Sequence, residues 1–221
     1  MVINDFPSVL LMHIAILLFL QRKWSSASAL YSFVVSTKLN FVFYSPAIFV
    51  VLLQNVGMAA TFKYCLFMGV IQLMIGVPFI LTNPWAYFNI AYDIRRTLLW
   101  EKTKYFKFLG RIMYHDWRFS LGLIAVTVTC VLALLLFVYI QGIRIKSPFQ
   151  PNVTSTTLFL LLSCNFFFIC FARGFYTPFL CWYLYTLPIL LYLCGTPKLL
   201  IFTYFAAHEI LIRNWGSTEA E

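Results

Sequence analysis

The sequence predicts an all-α fold, a polytopic bundle of transmembrane helices, and three observations carry that expectation. Of 221 residues, 62% are apolar and only 10% charged, which leaves too little polar surface to clothe a soluble domain. Mean hydropathy is +0.86. The apolar residues fall in continuous runs, most of them long enough to cross ~30 Å of hydrocarbon at ~1.5 Å per residue, whereas a barrel strand would alternate apolar and polar side chains. About seven or eight apolar helices are expected, forming one membrane domain over residues 1–221 with a long amphipathic loop over residues 82–119.

Taken in order, Val9 to Leu20 is a short apolar run interrupted by His13 and ended by Gln21-Arg22-Lys23. Trp24 to Val35 is marginal as a span and runs into the polar knot Ser36-Thr37-Lys38-Leu39-Asn40. Phe41 to Leu53 resumes the apolar character, with Pro46 expected as a kink. Gln54-Asn55-Val56-Gly57 signals a turn before the span Cys65 to Leu81, with Lys63 at its entry. Thr82 to Phe119 carries seven basic residues against three acids, with aromatic rings throughout, a mixture suited to helices in the headgroup plane.

Ser120 to Gln141 is the clearest span, 22 residues without a charge, closed by Arg144 and Lys146. Leu158 to Phe171 and Phe179 to Leu193 make a hairpin around Arg173, the only charge between Cys164 and Leu191. Gly195-Thr196-Pro197-Lys198 is a turn, and Leu199 to Ile212 a last short helix. If each run crosses once, Arg22, Lys23, Lys63, Arg144, Lys146 and Lys198 share the cytosolic side, and no acid falls among them. Asp5, Lys38, the loop over residues 82–119 and Arg173 then face the lumen, and the sequon at Asn152 is expected to go unused. Met1 is not followed by a basic region, and Gln21-Arg22-Lys23 stands where a cleavage site would, so no cleavable signal peptide is expected.

Function classes narrow quickly. A net charge of +9 in a membrane protein points to anionic lipid or phosphate, not to nucleic acid, because no soluble basic domain is present to carry it. The six cysteines form no CxxC pair and read as small apolar residues. His13, His115 and His208 are too scattered for a metal site, and GxSxG, Walker and GxGxxG motifs are absent. No internal repeat supports a transporter. What remains is a rim of basic, acidic and aromatic residues on one side. Guanidinium forks clamp phosphate, rings stack on sugars, and Asp or Asn accepts sugar hydroxyls. Arg96 and Arg173 are candidate phosphate contacts, with snorkelling to the headgroups as the alternative.

Four stretches carry a resemblance in order along the chain. They are Asn4-Asp5 with Pro7; Ser36-Thr37-Lys38-Leu39-Asn40 with Pro46; Gly76-Val77-Pro78-Phe79 with Asn83-Pro84, Tyr87, Asp93 and Arg96; and Asn165 with Cys170-Phe171-Ala172-Arg173 and Trp182-Tyr183-Leu184-Tyr185-Thr186-Leu187-Pro188. The chain resembles the C-terminal half of the dolichyl-phosphate-mannose-dependent α-1,3-mannosyltransferases of N-glycan precursor assembly, the Not56-like family. That resemblance implies a GT-C type, multi-pass glycosyltransferase of the endoplasmic reticulum membrane. It implies transfer of mannose, without a nucleotide sugar, metal or other cofactor, from dolichyl-phosphate-mannose to the five-mannose dolichyl-diphosphate oligosaccharide. Endoplasmic reticulum membrane lipids are the further partners.

The resemblance implies that Lys38, Asn40, Asp93, Arg96, Lys107, Asn165, Arg173, Trp182 and Tyr183 contact substrate or phosphate. A carboxylate base must take the acceptor's proton. In the family the acidic first lumenal loop, the expected home of that base, lies before the point matching Met1, and a truncated reading frame is the expected reason. Asp5 is the candidate substitute base, with a helix-start cap as the alternative. A non-catalytic membrane subunit, or truncated form, that binds lipid-linked sugar is the second reading of the whole, and a transporter or channel the third. The chain departs from the family at Gly174-Phe175-Tyr176-Thr177-Pro178-Phe179, where Ser-Leu-His-Tyr-Gln-Phe is usual. It departs also at Tyr185 for His, Arg95 for Gly and Lys107 for Arg.

Overall fold

The computed structural model describes residues 5–91, 100, 106, 108–140, 151–173 and 182–217. Helix α1 (Phe6–Leu20) opens with Pro7 in its first turn, where a missing N–H breaks no helical bond. It closes in a tight turn at Arg22, whose φ of 61° is left-handed. Helix α2 (Trp24–Thr37) returns beside α1, and a 3-10 turn over Leu39–Tyr44 leads into α3 (Ser45–Val56). Pro46, expected as a kink, instead occupies the first turn of α3, again where proline is tolerated. Gly57, with φ 80°, supplies the reversal into α4 (Met58–Thr82). This helix starts at Met58 and not at Cys65, because Met58-Ala59-Ala60 are good helix formers directly after the turn, so Lys63 lies inside it.

Helix α5 (Pro84–Ala91) turns off α4 at Asn83, whose side-chain oxygen accepts the Ala86 N–H at 2.9 Å. Tyr87 stacks on Phe79 at 6.1 Å, and its hydroxyl comes so near Gly76 that a Cβ there would stand 3.2 Å away. Helix α6 (Arg111–His115) precedes α7 (Trp117–Ile140), where the Asp116 carboxylate accepts the Arg118 N–H at 2.8 Å. The stretch over residues 82–119 thus includes two short helices and the first turn of α7. Helix α8 (Pro151–Cys170), α9 (Leu187–Leu193) and α10 (Lys198–Ser217) complete the described elements. The run expected as a span from Phe179 is helical only from Leu187 among the described residues, and Pro188 sits in the first turn of α9.

Among the described residues no strand occurs, and three helical stretches are long and apolar enough to cross a membrane: Leu39–Val56, Met58–Thr82 and Trp117–Ile140. Phe6–Leu20, Thr154–Cys170 and Lys198–Ala207 are shorter apolar helices. Helix α2 lies between α1 and α4, while α3 and α8 meet α7. Hydrocarbon is as apolar as leucine, so close packing of small side chains and polar cross-links must hold the helices together. Ala15 and Ala27 are fully buried and admit close approach of α1 and α2. Ser32 Oγ donates to the Met68 carbonyl at 2.8 Å, and the Gln72 amide donates back to the Ser32 carbonyl. Tyr31 Oη donates to the Phe41 carbonyl at 3.0 Å, and Gln54 Nε2 to that of Val138 at 3.1 Å. Leu66 and Leu73 on α4 and Ile124 and Leu136 on α7 are exposed, as apolar side chains turned to hydrocarbon can be.

The cross-links sort the helix ends. Asp5, Lys38, Trp182, Arg173, Asp116 and Arg118 gather at one end of the bundle. At the other lie the Arg22 turn, Gly57 and Val138, with Lys63 a little over one turn inside α4. Single cysteines placed at Ser36 and at Asn55 in a cysteine-free background should react with an impermeant maleimide from opposite sides of sealed vesicles. Reaction of both from one side would contradict the path through the 3-10 turn and α3.

Candidate functional site

Two clusters occupy the polar end. The first joins three segments distant in sequence. Lys38, at the C-terminus of α2, pairs with the carboxylate of Asp5 at the start of α1, through the same Oδ2 to which Trp182 Nε1 donates at 2.9 Å. The Lys38 ammonium also lies 5.1 Å from the centre of the Trp182 ring, within cation–π range. Asp5 occupies the N-cap position of α1 but makes no side-chain cap bond, because its carboxylate is turned to these partners. Asn165, buried on α8, donates from Nδ2 to the Trp182 carbonyl at 3.1 Å and fixes the segment that carries the indole. Tyr183 is buried beneath it, edge-on to Phe166 at 5.8 Å. Tyr185 is exposed and meets Phe6 edge-on at 6.3 Å.

The second cluster surrounds Arg173, three residues past the end of α8. Its Nη1 donates to the Tyr114 carbonyl at 3.1 Å and to Ser120 Oγ, and its guanidinium carbon stands 5.3 Å from the centre of the Tyr114 ring. Tyr114, fully buried, returns a bond from Oη to the Arg173 carbonyl at 3.0 Å. Arg173 is therefore bracketed by α6 and the first turn of α7, not loosely extended from a helix end. A carbonyl, a hydroxyl and a ring carry no formal charge, so these three contacts orient the guanidinium without themselves neutralising it.

An apolar groove of about 330 Å³ runs from this cluster between α7 and α8. Phe43, Leu123, Ile124, Val128, Phe168 and Phe171 wall it, with Ser120 and Arg173 also among its lining residues. Phe43 and Phe168 stack face to face at 4.7 Å along one wall. Ile124 and Val128 are exposed on α7, so the groove opens at the surface of the helices.

Of the residues expected in the site, Asp5, Lys38, Asn165, Trp182 and Tyr183 come together in the first cluster. Asn40 is half-buried on the adjoining 3-10 turn. Phe43, from the same turn, reaches the groove of Arg173 and connects the two clusters. Asp93, Arg96 and Lys107 lie outside the described residues. Tyr114 and Ser120 were not expected. Both come from a stretch that reads as interface and span, and nothing local marks them, since they meet Arg173 across 59 and 53 residues. Among the described residues no group of His, Cys, Asp or Glu is placed to hold a metal ion.

Fold and site together define a polytopic helical membrane protein with its polar side chains collected at one end. The sequence profile of the ALG3 protein family matches residues 1–221, and the chain belongs to that family. A Drosophila melanogaster protein named Dolichyl-P-Man:Man5GlcNAc2-PP-dolichol alpha-1,3-mannosyltransferase Alg3 is 32% identical over 161 residues, 70% of this chain and 32% of that protein. Proteins of Mus musculus and Homo sapiens, each named Dol-P-Man:Man(5)GlcNAc(2)-PP-Dol alpha-1,3-mannosyltransferase, are 30% and 29% identical, over 86% of this chain and 46% of theirs. The chain thus spans between a third and about half the length of these relatives. No solved structure matches it.

The first cluster makes a quantitative prediction. Asp5 and Lys38 are 13% and 31% exposed, so removing either leaves a partly desolvated charge behind. In a cycle of Asp5→Asn, Lys38→Met and the double variant, thermal unfolding in detergent should give a coupling of ~1–3 kcal/mol, with the double variant more stable than the sum of singles predicts. Strict additivity would contradict the pairing.

Proposed function

We propose that this chain is the lipid-phosphate-binding portion of a mannosyltransferase of the endoplasmic reticulum membrane. In this reading, mannose passes in the lumen from dolichyl-phosphate-mannose to the five-mannose dolichyl-diphosphate oligosaccharide, forming an α-1,3 linkage. The observation that carries it is Arg173 at the polar end of an apolar groove that opens at the surface of the helices. An isoprenoid chain suits such a groove, and a phosphate carried at its head meets the guanidinium. Membership of the ALG3 family and the names of the relatives support the choice of substrates.

The chemistry follows from that placement. The acceptor hydroxyl attacks the mannose anomeric carbon as the bond from that carbon to the phosphate oxygen breaks, and dolichyl phosphate departs. Negative charge grows on the departing phosphate, so a fixed cation there favours the transition state over the bound substrate. The hydroxyl proton must pass to a carboxylate. Asp93, Arg96 and Lys107 belong to this proposal as substrate contacts, as do Lys38, Asn40, Asn165, Trp182 and Tyr183, with the basic stretch over residues 82–119 facing the lumen. Asp5, held by Lys38 and Trp182, serves as base only if that pair opens. Its engagement favours a second reading, binding of lipid-linked sugar without turnover.

Microsomes expressing the chain, supplied with radiolabelled dolichyl-phosphate-mannose and the five-mannose lipid acceptor, separate the two readings. Elongation of the acceptor supports transfer, whereas retained lipid binding without elongation supports the second reading. Where transfer occurs, Arg173→Lys should slow it by about ten- to a hundredfold with membrane insertion unchanged, because a point charge cannot replace a two-bond fork. Unaltered turnover in that variant removes Arg173 from the site.

A further inference from the structure

A second groove, of about 280 Å³, lies between α2, the start of α3 and α4, and shares no lining residue with the groove of Arg173. Val42 and Gly69 among its lining residues are exposed, so it too opens at the surface of the helices. Ser32 Oγ donates to the Met68 carbonyl at 2.8 Å, Tyr31 Oη to that of Phe41 at 3.0 Å, and Ser45 Oγ to that of Val42 at 2.6 Å. Each hydroxyl proton in the groove therefore has an acceptor within the protein. Gln72 differs. Its Nε2 donates to the Ser32 carbonyl and to Ser32 Oγ, the latter at 3.1 Å, and because a carbonyl only accepts, the amide cannot be turned over. No described residue donates to its Oε1. Among the described residues only Ser28 Oγ is both sealed from the surface and unpartnered, so Gln72 Oε1 is unpartnered yet reachable.

We infer that this groove binds a neutral membrane alcohol, one hydroxyl on an apolar body, with the hydroxyl donating to Gln72 Oε1. Hydrocarbon gives an amide oxygen no donor, so a ligand that brings one is held there in preference to a saturated chain. Among the described residues no lining side chain is charged, which excludes a phosphate or ammonium head group. An ester or ketone brings acceptors alone and leaves Oε1 as it was. The depth suits an amphiphile. Gln72 is bonded to Ser32 on α2, which places it roughly 9 Å below Lys38 and the polar end at ~1.5 Å per residue. Deeper along the groove the walls turn apolar, with Ile48 and Phe49 about one turn past Ser45 on α3 and Cys65 about two turns before Gln72 on α4. Gly69 lies between Cys65 and Gln72, and a Cβ there would meet nothing within 4 Å, so bare backbone faces open space at that point. A sterol and a linear isoprenoid alcohol share this chemistry. The inference does not depend on the phosphate proposed at Arg173.

The test is photolabelling of the purified chain in phosphatidylcholine nanodiscs by a cholesterol analogue that bears a diazirine on its ring system and keeps its hydroxyl. Label should fall within residues 42–49 and 65–72. Unlabelled cholesterol should compete about fivefold better than its methyl ether, which keeps the body and loses the one donor. Gly69→Leu, which fills the open space, should lower labelling about tenfold or more, and Gln72→Leu should abolish the difference between alcohol and ether. Farnesol as competitor separates the two sources: stronger displacement than by cholesterol identifies a linear isoprenoid alcohol, weaker displacement a sterol, and either supports the inference. Equal competition by cholesterol and its ether in the unmodified chain would overturn it, and that comparison needs no variant. Label outside both segments, or label undiminished in Gly69→Leu, would overturn it as well. A dimer linked through Cys65 on mild oxidation, with no competition by either alcohol, would put a second copy of the chain in the groove and the alcohol out of it.

Discussion

Hydrocarbon offers a polar group no partner, and the organisation of this chain follows from that constraint. Backbone amides close on themselves in helices, and side-chain polar groups inside the bundle spend their bonds on neighbouring carbonyls, as Ser32, Gln72, Tyr31 and Gln54 do. Charged groups are driven to the ends. Asp5, Lys38 and Arg173 consequently meet tryptophan, tyrosine and backbone carbonyls where α1, α2, α7 and α8 surface together. The concentration of chemistry at one end is a solvation effect first and a functional arrangement second.

The two clusters at that end differ in electrostatic character. Lys38 and Asp5 neutralise one another, so their cluster presents mainly the aromatic surface of Trp182 and Tyr185. Around Arg173 the Tyr114 carbonyl, the Ser120 hydroxyl and the Tyr114 ring orient the guanidinium, and none of these three brings an opposite charge. A substrate composed of an isoprenoid chain, a phosphate and a sugar has three parts with the same characters: apolar, anionic, and hydroxylated with a face for stacking. Phe43, which follows Lys38 and Asn40 on the 3-10 turn and stacks on Phe168 in the groove, puts the two clusters within one structural unit.

Much of the fold was legible in the sequence, because long uncharged runs have few alternatives in a bilayer. Ser120 to Gln141 could hardly be other than a span, and it forms the body of α7. Boundaries were less legible. Proline inside an apolar run suggested a kink at Pro46, yet a helix starting one residue earlier accommodates it without strain. That Arg173 needed partners was apparent, because one charge in a long apolar stretch must be explained. Its partners were not. Tyr114 resembled any interfacial ring and Ser120 any helix-start serine, and only the tertiary fold brings them to the guanidinium. Asp5 illustrates the same limit: base or cap were the choices local sequence allowed, and its observed partners lie 33 and 177 residues away.

The central claim is that a phosphate-headed isoprenoid occupies the α7–α8 groove. Photo-crosslinking addresses it most directly. A farnesyl phosphate analogue bearing a benzophenone on its chain, irradiated with the protein in nanodiscs and mapped by peptide mass spectrometry, should label Leu123–Val128 and Phe168–Ala172. Labelling should fall in proportion when unmodified farnesyl phosphate is added. Label confined to the outward face of α4, or undiminished by the competitor, would contradict the account.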